Sequence, residues 1–396
     1  MTADPSSAST ALRTTPRVAV VVDWLAQFGG AELVIREILA TFPDADLFAL
    51  FDVMVPEDRA RLSAKPAVTS FLQRLPDIRS RYRQLLPLMP AAVRGFRLKD
   101  YDLVISSHHA VAKGIRRRRG QVHVCYCHSP TRYLWDKRAE YLADHGIRGV
   151  RKAIANRLLD RLQRLDRAAA DGVDTFLVNS RYVADRVRRH YGRESTIVHP
   201  PVDTGYFTPA GDPDPHLYVA ASRHVPYKRI DRIVAAFAEL PDRRLVVLGD
   251  GPQHARIREI AAPLPNVEVR GEVAREEVRE RFRHARAFLF AADEDFGIVP
   301  IEAQACGTPV IALGRGGALE TVRGDPGPER TGLFFADDSP AAIADAVRRF
   351  EALDRAPTTE ACWRNAQRFN VARFHAEVRA AVEAAWVAHR PAAAGG

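Results

Sequence analysis

Two doubly wound α/β domains, each a parallel sheet covered by helices, are the fold predicted for this 396-residue chain. Three observations predict it. Short β-branched runs alternate with helical stretches, the runs fall into two series, and a stretch dense in Pro and Gly divides the series. The length agrees, since a domain usually takes about 100–200 residues.

The first series comprises RVAVVV (17–22), DLVIS (102–106), VHVCYC (122–127) and TFLVNS (175–180). The second comprises HLYVAAS (216–222), RRLVVLGDG (243–251), NVEVRG (266–271), AFLFAA (287–292) and TPVIALG (308–314). Between them HPPVDTGYFTPAGDPDP (199–215) is too rich in Pro and Gly for a helix or a central strand, so it reads as the interdomain linker. Ligands of open parallel sheets bind beyond the carboxyl ends of the strands, and two such sheets facing one another make a cleft. The closing segment NVARFHAEVRAAVEAAWVAHR (370–390) places Phe374, Val378, Val382 and Trp386 at intervals of four behind an Asn cap, an apolar stripe that needs a partner surface. These divisions give a disordered tail over 1–16, a first domain over 17–205, a second over 206–370 and a terminal helical segment over 371–396.

Composition narrows the function classes. Hydrophobic residues make up 46% and charged residues 27%, and no apolar run approaches the ~18 residues of a membrane span. The opening MTADPSSASTALRTTP lacks a secretory apolar segment, so a cytoplasmic protein is expected. Four cysteines are too few for a disulfide framework, which predicts reduced thiols. The net charge of +9 favours anionic partners, and arginines crowd the first half, from Arg74 through the run Arg116 to Arg119.

Four stretches could carry chemistry. In AFLFAADEDFGIVPIEAQACGTPVIALG a strand runs into an acidic turn, and Pro300 suits the first residue of a helix. Free N–H groups at Gly297, Ile298 and Val299 suit anionic oxygen, while Glu294 or Glu302 could accept hydrogen bonds from paired sugar hydroxyls. The plainer alternative for both glutamates is stabilisation of a helix N-terminus, worth about 0.3–1 kcal/mol each. As a hydrolytic pair they are poorer, because nothing in the spacing fixes their separation.

In SRHVPYKRID, Arg223 and Lys228 follow a strand directly and are placed for a diphosphate, Arg as a planar fork and Lys as a point charge. A solvated loop pair is the alternative; a second strand ending in Gly249-Asp250-Gly251, where backbone can approach closely, favours the site. FGGAELVIREI (28–38) puts Gly29 and Gly30 at the mouth of a helix, where backbone can near a phosphate or an acceptor. Neither it nor GRGGALE (314–320) has the Gly-x-Gly-x-x-Gly spacing of a nicotinamide enzyme. In VHVCYCHSPTRYLWD (122–136), His123, Cys125 and Cys127 share one strand face and invite a zinc reading, but no second cluster supplies ligands. His128, at the strand end, is a candidate polar contact. The acidic Asp212-Pro213-Asp214 is read as a turn rather than a metal motif.

These four pieces, in this order, resemble the retaining glycosyltransferases of family four, which have the GT-B fold. Glu294 and Glu302, with Phe296-Gly297 behind the first, match the family's Glu, seven residues, Glu pattern. Arg223 and Lys228 match its Arg, four residues, Lys pattern, and GGAE, CHSPTRYLWD, NSRYVADRV and HPPVD are similar to family segments. The likeness spans about residue 17 to about 386 and is nearest to bacterial mannosyltransferases of O-antigen and related surface polysaccharides.

The resemblance implies that Arg223 and Lys228 hold the donor diphosphate, Glu302 the nucleotide ribose, and Glu294 the transferred sugar. The Phe296, Gly297, Ile298 and Val299 backbone would hold sugar and phosphates, and His128 would touch the sugar from the opposite domain. Gly29, Gly30 and Gly249 would border the donor, and the terminal helix would cross back onto the first domain. It implies retaining transfer without metal or cofactor, from a nucleotide sugar, best matched by GDP-mannose, to a lipid-linked or saccharide acceptor. His199, His224 and Tyr227 depart from or decorate the matched segments and are read as loop packing.

Three other readings stand beside it. A UDP- or dTDP-sugar could be the donor, and a related GT-B protein could isomerise or phosphorolyse sugars or only bind them. A nucleic-acid-binding protein is suggested by the charge, but the arginines lack interleaved aromatics and no such signature is present, so no nucleic-acid partner is expected. The Arg-rich first domain also suggests peripheral contact with an anionic membrane.

Overall fold

A computed structural model of the protein describes residues 16–62, 65–139, 142 and 147–390. Apart from Pro16, the tail expected over 1–16 lies outside the described residues. The first sheet contains β1 (Val18–Val22), β2 (Asp46–Ala49), β3 (Val68–Thr69), β4 (Leu103–His108), β5 (Val122–Cys127), β6 (Thr175–Val178) and β7 (Thr196–Ile197), in the order β3-β2-β1-β4-β5-β6-β7. The second contains β8 (Asp214–Ala221), β9 (Arg244–Leu248), β10 (Val267–Val269), β11 (Ala285–Phe290), β12 (Val310–Leu313) and β13 (Gly332–Phe335), in the order β10-β9-β8-β11-β12-β13. All pairings are parallel.

The β-branched runs become the central strands because helices cover both faces, leaving no polar side to alternate with. β2, β3, β7 and β13 were not foreseen. Two of them are two-residue strands, and β2 (DLFA) and β13 (GLFF) lack β-branched residues, so their pairing partners rather than their propensity make them strands.

In each sheet the strand order reverses once, between β1 and β4 in the first and between β8 and β11 in the second. Loops diverge at such points, and the gap between them at the carboxyl ends is where an open α/β sheet takes its ligand. The segments carrying Gly29, Arg223 and Glu294 follow β1, β8 and β11, beside these two gaps.

The stretch 199–215 is more than a spacer. Val202 and Phe207 are buried in the core of the second domain, and β8 begins inside the stretch. The Val202 amide donates to the Phe369 carbonyl at 2.8 Å, and Arg373 Nη2 donates to the His199 carbonyl at 2.8 Å. The two passages of chain between the domains are thus tied to each other.

After the second passage the helix Val371–His389, capped by the Asn370 side chain, lies on the first domain. Phe374, Val378, Val382 and Ala385 are buried in the core beneath β1 and β4, with Trp386 packed partly against it. His375 Nε2 and Glu37 Oε2 are 2.7 Å apart, and Arg379 Nη2 donates to the Thr41 carbonyl at 2.8 Å. All four cysteines are free and buried.

Truncation of a buried Phe costs about 3–5 kcal/mol. Phe374→Ala should therefore lower the thermal unfolding midpoint by several degrees, whereas Val387→Ala, at a position 67% exposed on the same helix, should leave it unchanged. Equal midpoints for the two variants would contradict this packing.

Candidate functional site

The turn between β8 and the following helix and the turn after β11 meet through one contact: Lys228 Nζ is ion-paired with Glu294 Oε1. Both side chains are largely buried. Burial, with the Arg132 guanidinium nearby, pushes the Lys228 pKa down to about 7, while the carboxylate against it opposes that fall and favours the charged pair. Arg223, five residues earlier in the same turn, is exposed and has no ion-pair partner among the described residues.

Beyond Glu294 the chain makes a left-handed bend at Gly297 (φ +88°), where a Cβ would sit 3.3 Å from the Phe290 ring. The helix Val299–Ala305 follows, with Pro300 in its first turn. Among the described residues the amides of Gly297, Ile298 and Val299 donate to no protein acceptor. One turn into the helix stands Glu302. Its carboxyl, on a half-buried side chain, has no hydrogen-bond or ion-pair partner among the described residues, and desolvation by the surrounding protein raises its pKa to about 7, with Arg275 pulling the other way. A carboxyl held above its ordinary pKa with no protein partner marks a candidate site.

Gly249 bends sharply at the end of β9 (φ +118°) and packs so closely on the Ser222 backbone that a Cβ there would meet the Ser222 carbonyl oxygen at 2.0 Å. It lets the turn bearing Arg223 and the end of β9 lie against each other, a structural need that does not itself require a ligand.

The first domain supplies the facing wall. Gly29 caps the helix Gly30–Thr41 in extended conformation, and a Cβ on Gly30 would approach the Ile298 side chain of the second domain to 3.1 Å. The glycine pair therefore sits directly across the cleft from the turn after β11. At the end of β5, His128 shares a hydrogen bond of 2.8 Å between Nε2 and the Ser107 hydroxyl. Burial and the neighbouring His109 lower its pKa to about 3, so the ring is neutral and can exchange hydrogen bonds but not act as an imidazolium acid.

Several residues that organise the cleft escaped the sequence reading. Asp23, at the end of β1, accepts the amides of His109, Ala110, Val111 and Ala112 at 2.6–2.9 Å and so shapes the loop after β4. An acid closing the VAVVV strand was the available signal. Asp295, next to Glu294, reaches across to the first domain. Its Oδ2 lies 2.7 Å from Arg132 Nη2 and its Oδ1 2.8 Å from Arg186 Nη1, while its carbonyl accepts the Ser180 hydroxyl at 2.6 Å. Glu320 also crosses, accepting the amides of Arg181 at 3.0 Å and Tyr182 at 3.2 Å at the start of the helix Arg181–Tyr191. Gly317 approaches closely enough to donate to the Glu294 carbonyl at 2.8 Å.

Other expectations need correction. Phe296 contributes more than backbone: its ring is buried, stacked 5.4 Å from His199 and edge-on to Phe369. Tyr227 is not packed into its loop but 44% exposed, with Arg132 and Lys228 over its ring. The run Arg116 to Arg119 is not uniformly free, since Arg117 pairs with Asp174 at 2.8 Å and Arg118 with Asp102 at 3.0 Å. His123 is hydrogen-bonded to Ser106 at 2.8 Å, and Cys125 and Cys127 lie in an apolar cluster with Phe176 and Tyr191.

Comparison with known proteins bears on the family and the fold. The family model described as Glycosyltransferase Family 4 matches residues 28–206, and the one described as Glycosyl transferases group 1 matches residues 208–369. A D-inositol 3-phosphate glycosyltransferase of Streptomyces bingchenggensis is 31% identical over 210 residues, 45% of either chain. A GDP-mannose-dependent alpha-(1-6)-phosphatidylinositol monomannoside mannosyltransferase of Mycolicibacterium smegmatis is 33% identical over 189 residues, 39% of this chain and 48% of that one. The chain thus spans about half the length of the curated relatives it matches. Among solved structures, Anabaena HepE in complex with UDP-glucose superposes with a TM-score of 0.67 at 18% identity, covering 93% of this chain and 99% of that one. Sucrose-phosphate synthase from Thermosynechococcus elongatus gives 0.70 at 20%, covering 94% and 100%. These likenesses place the fold in the GT-B class.

Asp295→Asn should keep the Ser180 contact and lose both ion pairs, loosening the domains by roughly 1.5–3 kcal/mol of charged hydrogen bonding. Small-angle X-ray scattering of the unliganded protein should then report a larger radius of gyration than for the parent. An unchanged radius would show that the pairs do not hold the cleft closed.

Proposed function

We propose, from the premise that the chain belongs to the family four, group 1 glycosyltransferases, that it is a retaining hexosyltransferase. It moves a sugar, best matched by mannose from GDP-mannose, to a lipid-linked or saccharide acceptor in the synthesis of a surface polysaccharide or glycolipid. The observation that most supports a nucleotide-sugar site is the partnerless Glu302 carboxyl following three amides without acceptors, with a buried cation in the facing turn. Hydroxyls of a ribose satisfy the first and oxygens of a diphosphate and sugar satisfy the second.

In this reading Arg223 and Lys228 neutralise the diphosphate and stabilise it as it leaves, so the proposal assigns no step to a metal or cofactor. Lys228 exchanges Glu294 for phosphate oxygen when the donor enters, which frees Glu294 for the sugar hydroxyls. The neutral His128 ring holds the sugar from the first domain. The bond from the anomeric carbon to phosphate breaks as the bond to the acceptor oxygen forms on the same face, and the acceptor proton passes to the departing diphosphate oxygen. No side-chain nucleophile is needed. No helix among the described residues is long and apolar enough to cross a membrane; the proposal places the protein in the cytoplasm, in peripheral contact with the anionic inner face of the membrane.

A UDP-sugar donor is the second reading, favoured by the structural likeness to a protein solved with UDP-glucose. A thermal-shift panel of GDP-, UDP-, ADP- and dTDP-sugars separates the two. Stabilisation by none would defeat both.

Glu302→Ala and Lys228→Ala each remove a charged hydrogen-bonding partner worth about 1.5–3 kcal/mol, so donor affinity or turnover should fall about ten- to 150-fold. Unchanged kinetics in both would remove the assignment. The acidity of Glu302 adds a pH signature. Hydroxyl donors favour the carboxylate, so its contribution is complete above its free pKa of about 7 and lost as pH falls below it. Donor affinity of the parent, measured by calorimetry, should weaken between pH 8 and 6, while Glu302→Gln should be weak and flatter. Parallel profiles would indicate that Glu302 does not titrate against the donor.

A further inference from the structure

Away from the donor cleft the first domain carries a second recess. It encloses about 620 Å³ between the helix Met89–Arg94 and the helix Gly149–Asp171, and its walls include Leu86, Pro90, Tyr133, Leu158, Leu162 and Leu165. Leu86 and Leu162 form its buried floor, whereas the apolar residues at its rim are exposed, and clustered exposed apolar side chains mark an interaction surface. Leu158 is 36% and Leu165 38% exposed, Ile154 continues the same helical stripe at 63%, and Leu88 beside the opposite wall is 45% exposed. The spacing 154, 158, 165 puts these residues on one side of the helix, next to the side buried in the domain core.

Charge identifies the kind of partner. The helix Gly149–Asp171 carries six Lys or Arg and three Asp, and one of the three, Asp166, is buried and paired with Lys113. Arg94 and Arg161 stand at the recess, Arg157 and Arg164 flank the stripe, and none of these four has an ion-pair partner among the described residues. A second protein with an apolar face would not need this cationic border, whereas a lipid with a hydrocarbon chain and an anionic headgroup matches both parts. The recess is also adjacent to the proposed chemistry. Ala110 and Val111, which line it, belong to the loop that Asp23 holds, and His109 of that loop lies beside His128.

We propose that this recess takes the hydrocarbon chain of a lipid from an anionic membrane, with the arginines on its headgroup, so that a lipid-linked acceptor stays in the bilayer while its polar end reaches the cleft around the loop 109–111. This rests on the glycosyltransferase reading for its acceptor but not for its lipid.

The test uses the full chain with vesicles of equal phosphatidylglycerol and phosphatidylcholine. Co-sedimentation at low salt should fall at least about tenfold in Leu158→Glu/Leu165→Glu, while the thermal shift given by nucleotide sugars stays as in the parent. In the parent, brominated acyl chains should quench the fluorescence of Trp135, whose Nε1 donates to Asp166 at the recess at 2.8 Å, and a Trp135→Phe control assigns the signal. Parent-like sedimentation of the double variant, or no quenching of Trp135 in the bound parent, overturns the proposal, since binding would then be surface adsorption. Dissociation of a parent dimer by the same substitutions in sedimentation velocity also overturns it, because a second copy would then cover the stripe. Intact nucleotide-sugar binding with failed vesicle binding removes only the lipid site. Quenching without any nucleotide-sugar binding removes only the donor reading.

Discussion

The contact on which the cleft depends is the carboxylate of Asp295 gripped by two guanidiniums of the opposite domain. Arg186 is almost wholly buried there and also bonds Asp136, the Ser129 hydroxyl and the Pro130 carbonyl. A buried guanidinium without its carboxylates would carry a large desolvation cost, so the domains cannot separate at this point without water entering to replace Asp295. Because Asp295 adjoins Glu294, the same grip fixes the turn that carries the acidic side chain, the free amides and, a few residues on, Glu302. The geometry of this turn is therefore set from the first domain.

This arrangement ties the approach of the domains to the geometry of that turn. Glu320 caps a first-domain helix from the second domain, and the Gly30 backbone meets Ile298 because no side chain intervenes. Opposite ends of the cleft are thus held in register by contacts of the protein itself. The electrostatics inside are less settled: Lys228 is paired with Glu294, whereas Glu302 is desolvated and partnerless. Glu302 therefore keeps acceptor capacity that no described residue fills, while the Lys228 charge is already matched by a carboxylate.

Much of the fold was legible. Alternating β-branched runs and helices specify parallel sheets because only covered strands can be apolar on both faces, and VAVVV or AFLFAA allows no half-solvated alternative. The edge strands were hidden, since two residues at β3 or β7 carry no pattern. In the site, the turns with Arg223, Lys228, Glu294 and Glu302 could be located because glycine, proline and charge follow directly on buried strands. The partners of those charges could not. Asp295 and Arg132 are 163 residues apart, and nothing local to either predicts the other. Nor could the sequence distinguish a charged His128 from the neutral one, because its pKa is set by how much water the surrounding strands exclude.

By itself, then, the sequence determined two wound domains and the strand ends at which polar residues gather, since periodicity and backbone restriction are local properties. Tertiary structure alone decided that Lys228 and Glu294 face each other, that Asp295 and Glu320 join the domains, and that Glu302 is left without a partner. Each of these depends on desolvation and Coulomb contact between distant segments, and such energies have no value until the chain has brought the charges together and excluded the solvent around them.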